Sequence, residues 1–132
     1  MIQKVQSLRL KAVSYLAPNW MDYYQVIAHS ISRVLQCEMQ VAASDRDPLD
    51  ELQDNPVDLA FICGLPFIRN ARIAPEQFRA IVAPVMQAER YQNRPVYFSD
   101  IIVHTDSSFH SFLDLKNSTV CYNDPGSNSG YY

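Results

Sequence analysis

The chain has 132 residues and a mass of 15.1 kDa, enough for one compact domain, and its 48% hydrophobic content is that of a globular core. A net charge of −3, with the 11 Lys and Arg residues scattered along the chain, supplies no basic stripe and excludes nucleic acid as the expected partner. No run approaches the roughly 20 apolar residues of a membrane span, and MIQKVQSLRLKAV mixes charged with apolar residues where a secretory signal needs a continuous apolar block. As written, the chain reads as cytoplasmic or as having lost its signal.

In chain order, Leu8, Leu10 and Val13 predict a short strand that Pro18 and Asn19 end. A helix follows, with Asn19 as its cap, Asp22 in its first turn, and Tyr23, Ile27, Ile31 and Val34 recurring at helical spacing up to Leu35. MQVAA, from Met39, is the second strand. Asp47 before Pro48 is a cap with proline at the first helical position, and Asp50 and Glu51 suit the positive end of a short helix that Asn55-Pro56 terminates.

VDLAFIC, Val57 to Cys63, is nearly continuous apolar sequence and reads as a parallel-sheet strand buried on both faces. Gly64-Leu65-Pro66 breaks it, and Phe67, Ile68 and Arg69 open another helix. FRAIVAPV, Phe78 to Val85, is expected as a fourth strand, Tyr97 to His104 as a long one, Ser111 as the cap of a turn through FLDL, and TVCY as a last strand. The alternation of strands and helices predicts an α/β fold, an open, mostly parallel sheet flanked by helices, with ligands beyond the carboxyl ends of the strands.

Cys37, Cys63 and Cys121 are odd in number and widely spaced, which speaks against a disulfide framework or a zinc site, and Cys63 and Cys121 read as small buried hydrophobes. His29, His104 and His110 have no metal-ligand spacing, so neither a metal nor any other cofactor is expected. A Cys63 thiol activated by a following helix is the one nucleophile conceivable, but no base is placed beside it. The chain is read as non-catalytic.

Taken together, LRLKAVSYLAP, VDLAFICGLPFI, RPVYFSDIIVHTDSSFHSFLDLKNSTV and YNDPGSNSGYY resemble the first half of the phosphate/phosphonate-binding proteins of ABC importers, which have the type II periplasmic-binding-protein fold. The resemblance implies a solute-binding module, periplasmic by family, for a small oxyanion such as phosphate or phosphonate, delivered to an ABC permease. It implies that Tyr15 and the turn of Cys63, Gly64 and Leu65 face the cleft, that Tyr97, Phe98 and Ser99 lie at the crossing between lobes, and that Ser127, Asn128, Ser129 and Gly130 cradle the anion. That cradle also makes physical sense, because a helix start offers unpaired N–H groups and Gly126 and Gly130 permit close approach. The alternative for the same loop is an Asx or Ser turn capping a helix.

Each of the other residues has a second reading as well: Tyr15 a half-exposed loop residue, Phe98 core, Ser99 a strand hydroxyl bonded to backbone. The resemblance divides the chain into a first lobe with its crossing strand, 1–104, and a truncated beginning of the second, 105–132. A homodimer is expected to cover what such a piece exposes, and the alternative function is a regulatory or dimerising ligand-sensing domain of the same fold. Asp100 departs from the resemblance, either as a carboxylate that selects against a fully ionised anion or as a residue facing solvent.

Overall fold

A computed structural model describes residues 7–122, and the chain divides into two units, Met1–Arg79 and Ala80–Tyr132. The first unit is the expected α/β architecture. Its elements are β1 (Arg9–Ser14), a 3-10 turn (Pro18–Trp20), α1 (Met21–Leu35), β2 (Glu38–Ala43), α2 (Pro48–Asp54), β3 (Leu59–Phe61) and α3 (Gly64–Ile73).

The strands form one parallel sheet in the order β2-β1-β3. The whole of β1 pairs with β2, from Arg9 opposite Glu38 to Ser14 opposite Ala43. On its other side Ala12, Val13 and Ser14 pair with Leu59, Ala60 and Phe61. At the entrance to β3, Asp58 grips one residue of β1 twice: its N–H donates to the Lys11 carbonyl at 2.9 Å, and its carboxylate accepts the Lys11 N–H at 2.7 Å.

This order corrects the expectation for VDLAFIC. The strand buried on both faces is β1, whose Ala12, Val13 and Ser14 are at most 1% exposed, because among the described residues it alone has a strand on each side. The apolar run is an edge strand of half-buried residues, and only Leu59–Phe61 of it is laddered.

Period-two alternation puts Lys11 and Tyr15 on one face of β1, where α2 meets them through Glu51. Ser14 and its partner Phe61 belong to the other face, where the ring of Tyr24 from α1 stacks on Phe61 at 4.6 Å. Crossovers running in opposite directions from a parallel sheet place their helices on opposite faces, as seen here.

Helix α1 is rotated from the stripe read in the sequence. Tyr23 and Val34 are exposed, Ile27 and Ile31 are half-buried, and the residue against the sheet is Ala28, 1% exposed. A methyl side chain lets the helix approach closely, a contact that counting large apolar residues misses. Asn19 is not the cap either: it lies within the 3-10 turn, and Trp20 precedes α1 with no side-chain cap. The Asp47 cap does form, its carboxylate accepting the Leu49 N–H at 2.9 Å. Helix α3 begins at Gly64, earlier than expected, since glycine and proline in the first helical turn are compatible with a start.

In the second unit, 3-10 turns form at Glu89–Tyr91 and Phe112–Leu115. The second carries the expected Ser111 cap, in a reciprocal box with Asp114. The strands expected at 78–85, 97–104 and TVCY do not form among the described residues. The backbone bonds of this unit close local turns, such as Arg94 N–H to the Tyr91 carbonyl at 2.9 Å and Ser107 N–H to the His104 carbonyl at 3.0 Å. Val82 and Ile102 are 88% exposed. A β-branched side chain expresses a preference for a pleated surface only where a neighbouring strand supplies one.

Candidate functional site

In the order β2-β1-β3 the chain leaves β1 toward one side and returns to the other, which makes the carboxyl ends of β1 and β3 the place where crossovers diverge and ligands of open α/β sheets bind. Tyr15 follows β1 there, and its N–H donates to the carbonyl of Phe61, the last residue of β3, at 2.9 Å. Cys63 and Gly64 come two and three residues after Phe61. The structure therefore brings two of the expected ligand residues, Tyr15 and Gly64, to one edge of the sheet.

Cys63 precedes α3 without a side-chain cap, and Pro66 has no N–H, so Gly64 and Leu65 carry the first amides of the helix. A side-chain carbon at Gly64 would meet no atom within 4 Å. That end of α3 thus combines exposed donors, the positive end of a helix dipole and open space. Cys63 itself is exposed, contrary to its reading as a buried hydrophobe, as is Cys121. Desolvation around the Cys63 sulfur pushes its thiol up, the opposite of what an activated nucleophile needs.

Beneath this edge lies a polar hub. Glu51, 8% exposed, accepts from the Lys11 ammonium at 3.2 Å and from the Tyr15 hydroxyl at 3.5 Å. The Ser44 hydroxyl, which accepts the Arg46 N–H at 3.2 Å, donates to Glu51, and this bond foremost, with Lys11 beside it, holds the carboxyl below its ordinary value. Burial, with the negative charge of Glu51 added, pushes the Tyr15 phenol up to about 12. The hub anchors the loop after β1 to α2.

A broad trough of about 1010 Å³ runs along β1 and β2, from Arg9 and Glu38 to Ala12 and Ala42, with His29 and Arg33 of α1 beside it. It shares none of the expected ligand residues.

In the second unit Tyr97, Phe98 and Ser99 are consecutive, with Tyr97 63% and Phe98 40% exposed, so Phe98 is not core. Asp100 is ion-paired: both its oxygens accept from the two terminal nitrogens of Arg90 at 2.9 Å. The same guanidinium lies 4.2 Å from the ring centre of Phe98, and Tyr91 meets Phe98 edge-on at 5.4 Å. Ser127, Asn128, Ser129 and Gly130 lie outside the described residues. Among the described residues no group of three or more His, Cys, Asp or Glu could hold a metal ion.

Sequence reasoning missed Glu51, Tyr24 and Arg90. Glu51 was explained by its place at a helix start, and nothing local announces its second role. Tyr24 sits beside Tyr23, and only the rotation of the helix tells them apart. Arg90 and Asp100 are joined across an irregular segment that has no periodicity to read.

No helix among the described residues is long and apolar enough to cross a membrane. No curated protein and no solved structure matches the chain. The sequence profile of a family described as "ABC transporter, phosphonate, periplasmic substrate-binding protein" matches residues 14–132, from the last residue of β1 onward. That span takes in the sheet edge with Tyr15 and Gly64 and the segment from Tyr97 to Ser99, and the chain belongs to this family of phosphonate-binding components of ABC transporters.

Proposed function

We propose that the chain is a non-catalytic solute-binding module that takes a small oxyanion, phosphate or a phosphonate, for delivery to an ABC permease. The observation that carries this reading is the end of α3: N–H groups without a side-chain cap, beside open space at Gly64, at the diverging end of a parallel sheet and next to Tyr15. Such an end attracts an anion through its amides and its dipole without needing a cationic side chain. Tyr15 supplies an aromatic wall held in place by Glu51. The family resemblance adds Tyr97, Phe98 and Ser99, and the loop of Ser127, Asn128, Ser129 and Gly130, as further ligand groups. The homodimer expected from sequence is not part of the proposal, because exposed apolar residues do not say what covers them.

Calorimetric titration of the chain with phosphate, phosphite and methylphosphonate tests the proposal, and binding of at least one is expected. Gly64→Ala separates site from fold. The added methyl group meets no atom of the protein and leaves the melting temperature within a degree or so, yet it occupies the approach to the α3 amides and weakens binding by about tenfold. Equal affinity in Gly64→Ala would remove α3 from the site. Affinity unchanged by Ser127→Ala with Ser129→Ala would remove the terminal loop, and no binding of any of the three anions would end the oxyanion reading.

A further inference from the structure

We propose that Arg90 is a positioning residue for the segment Tyr97-Phe98-Ser99, clasping Phe98 and Asp100 together and cancelling the charge that Asp100 would otherwise present to an anionic ligand. The inference rests on the oxyanion reading for its ligand half only.

The geometry is specific. Both terminal nitrogens of Arg90 donate to the two oxygens of Asp100 at 2.9 Å, the planar fork-to-fork arrangement that distinguishes arginine from lysine. The guanidinium carbon of the same side chain lies over the Phe98 ring at 4.2 Å from its centre, within the range of a cation–π contact. Tyr91, the next residue along, closes the edge of Phe98 at 5.4 Å. One side chain therefore holds two residues that are two apart in sequence, one on each side of Ser99. Holding Phe98 and Asp100 fixes the backbone on both sides of Ser99 and just after Tyr97, the two residues that the oxyanion reading counts as ligand groups.

The clasp also resolves the two readings of Asp100. An isolated exposed carboxylate beside Ser99 would repel phosphate or phosphonate, whereas the pair carries no net charge and its field falls off faster with distance. Most exposed ion pairs contribute little, but two-pronged geometry is an exception, and here a ring contact reinforces it. The Arg90 pairing, the foremost cause, holds the Asp100 carboxyl below the usual aspartate range.

The test uses the full chain as wild type, Arg90→Gln, Arg90→Lys, Asp100→Asn and the double variant Arg90→Gln with Asp100→Asn. The first readout needs no ligand: carbon-13 titration of the Asp100 carboxyl should run below 3.8 in wild type, return toward that value in Arg90→Gln, and fall between in Arg90→Lys. The second is methylphosphonate calorimetry, where Arg90→Gln should weaken binding by about tenfold and the double variant should recover part of the loss by removing the stranded charge. An ordinary Asp100 titration in wild type overturns the clasp. Unchanged affinity in Arg90→Gln overturns its ligand role. Failure of wild type to bind methylphosphonate sinks the proposed function and the ligand half of this inference, and the carboxyl titration alone then upholds or overturns the clasp.

Discussion

In the first unit the backbone amides and carbonyls close a parallel ladder; in the second they close turns. The first places Ala12, Val13 and Ser14 at the centre of a sheet with a helix on either face, while the second leaves Val82 and Ile102 almost fully exposed and is ordered locally by a salt bridge, ring contacts and a capping box. The difference shows that β-branched residues are not in themselves a strand. What converts them is a neighbour at the right distance, and in the first unit each strand reaches its neighbour through a helix that covers the sheet.

That comparison breaks most readily at Glu51. Replacing Glu51 with Ala in the first unit should cost about 2 kcal/mol, because Lys11, Tyr15 and Ser44 lose a shared buried acceptor. Ile102→Ala in the second unit should stay within about 0.5 kcal/mol, as exposed positions do. Urea unfolding of both variants measures the contrast, and equal losses would remove the distinction between the units.

The same hub predicts two pH limits. Glu51 is lowered from 4.5, so its contribution is complete above that pH and disappears as the pH falls through its folded value. Tyr15 is raised from 10.0 to about 12, so its contribution is complete below pH 10 and disappears between about pH 10 and 12. Glu51→Gln should flatten the acid limb of a melting-temperature profile, and Tyr15→Phe the alkaline limb.

A smaller effect sharpens the comparison at helix starts. Asp47→Ala should cost about 1 kcal/mol, since the carboxylate is bonded to the Leu49 N–H of α2. Thermal unfolding measures it. Smallest of all is Gln36→Gly. Gln36 ends α1 in the left-handed region at φ 52°, a conformation that glycine adopts without steric penalty, and the variant should gain about 0.5 kcal/mol or slightly more by the same measurement.

Legibility in the sequence followed the range of the interaction. Asp47-Pro48 and Ser111-Phe-Leu-Asp114 declared themselves because a cap is formed within a few residues of its own position. The alternation of helices and strands through residue 73 was readable for the same reason, as was the parallel sheet, because a strand followed by a covering helix leaves few other topologies. The sheet order was not readable: VDLAFIC is more apolar than RLKAVS, yet the latter is central, since Lys11 can sit in a covered strand once Glu51 receives its ammonium. Tyr15 and Gly64 lie just beyond the carboxyl ends of β1 and β3, as residues that follow those strands in the chain must. The clasp of Arg90 on Phe98 and Asp100 was invisible because no regular element fixes the distance between them.

Asp58 has a consequence for how the sheet assembles. Lys11 and Asp58 stand 47 residues apart, so closing the loop that brings β3 to β1 carries an entropic cost that grows with the logarithm of its length, while β2 pairs with β1 across a nearer connection. Strand β3 is the last of the three to be synthesised, and its ladder is short. A slip of one residue would turn Leu59, Ala60 and Phe61 to the wrong faces. By taking both backbone polar groups of one residue, Asp58 makes the native alignment the one in which two bonds close together, and any shifted alignment gives up both. A strand too short to choose its register by its own length has it chosen by the residue just ahead of it.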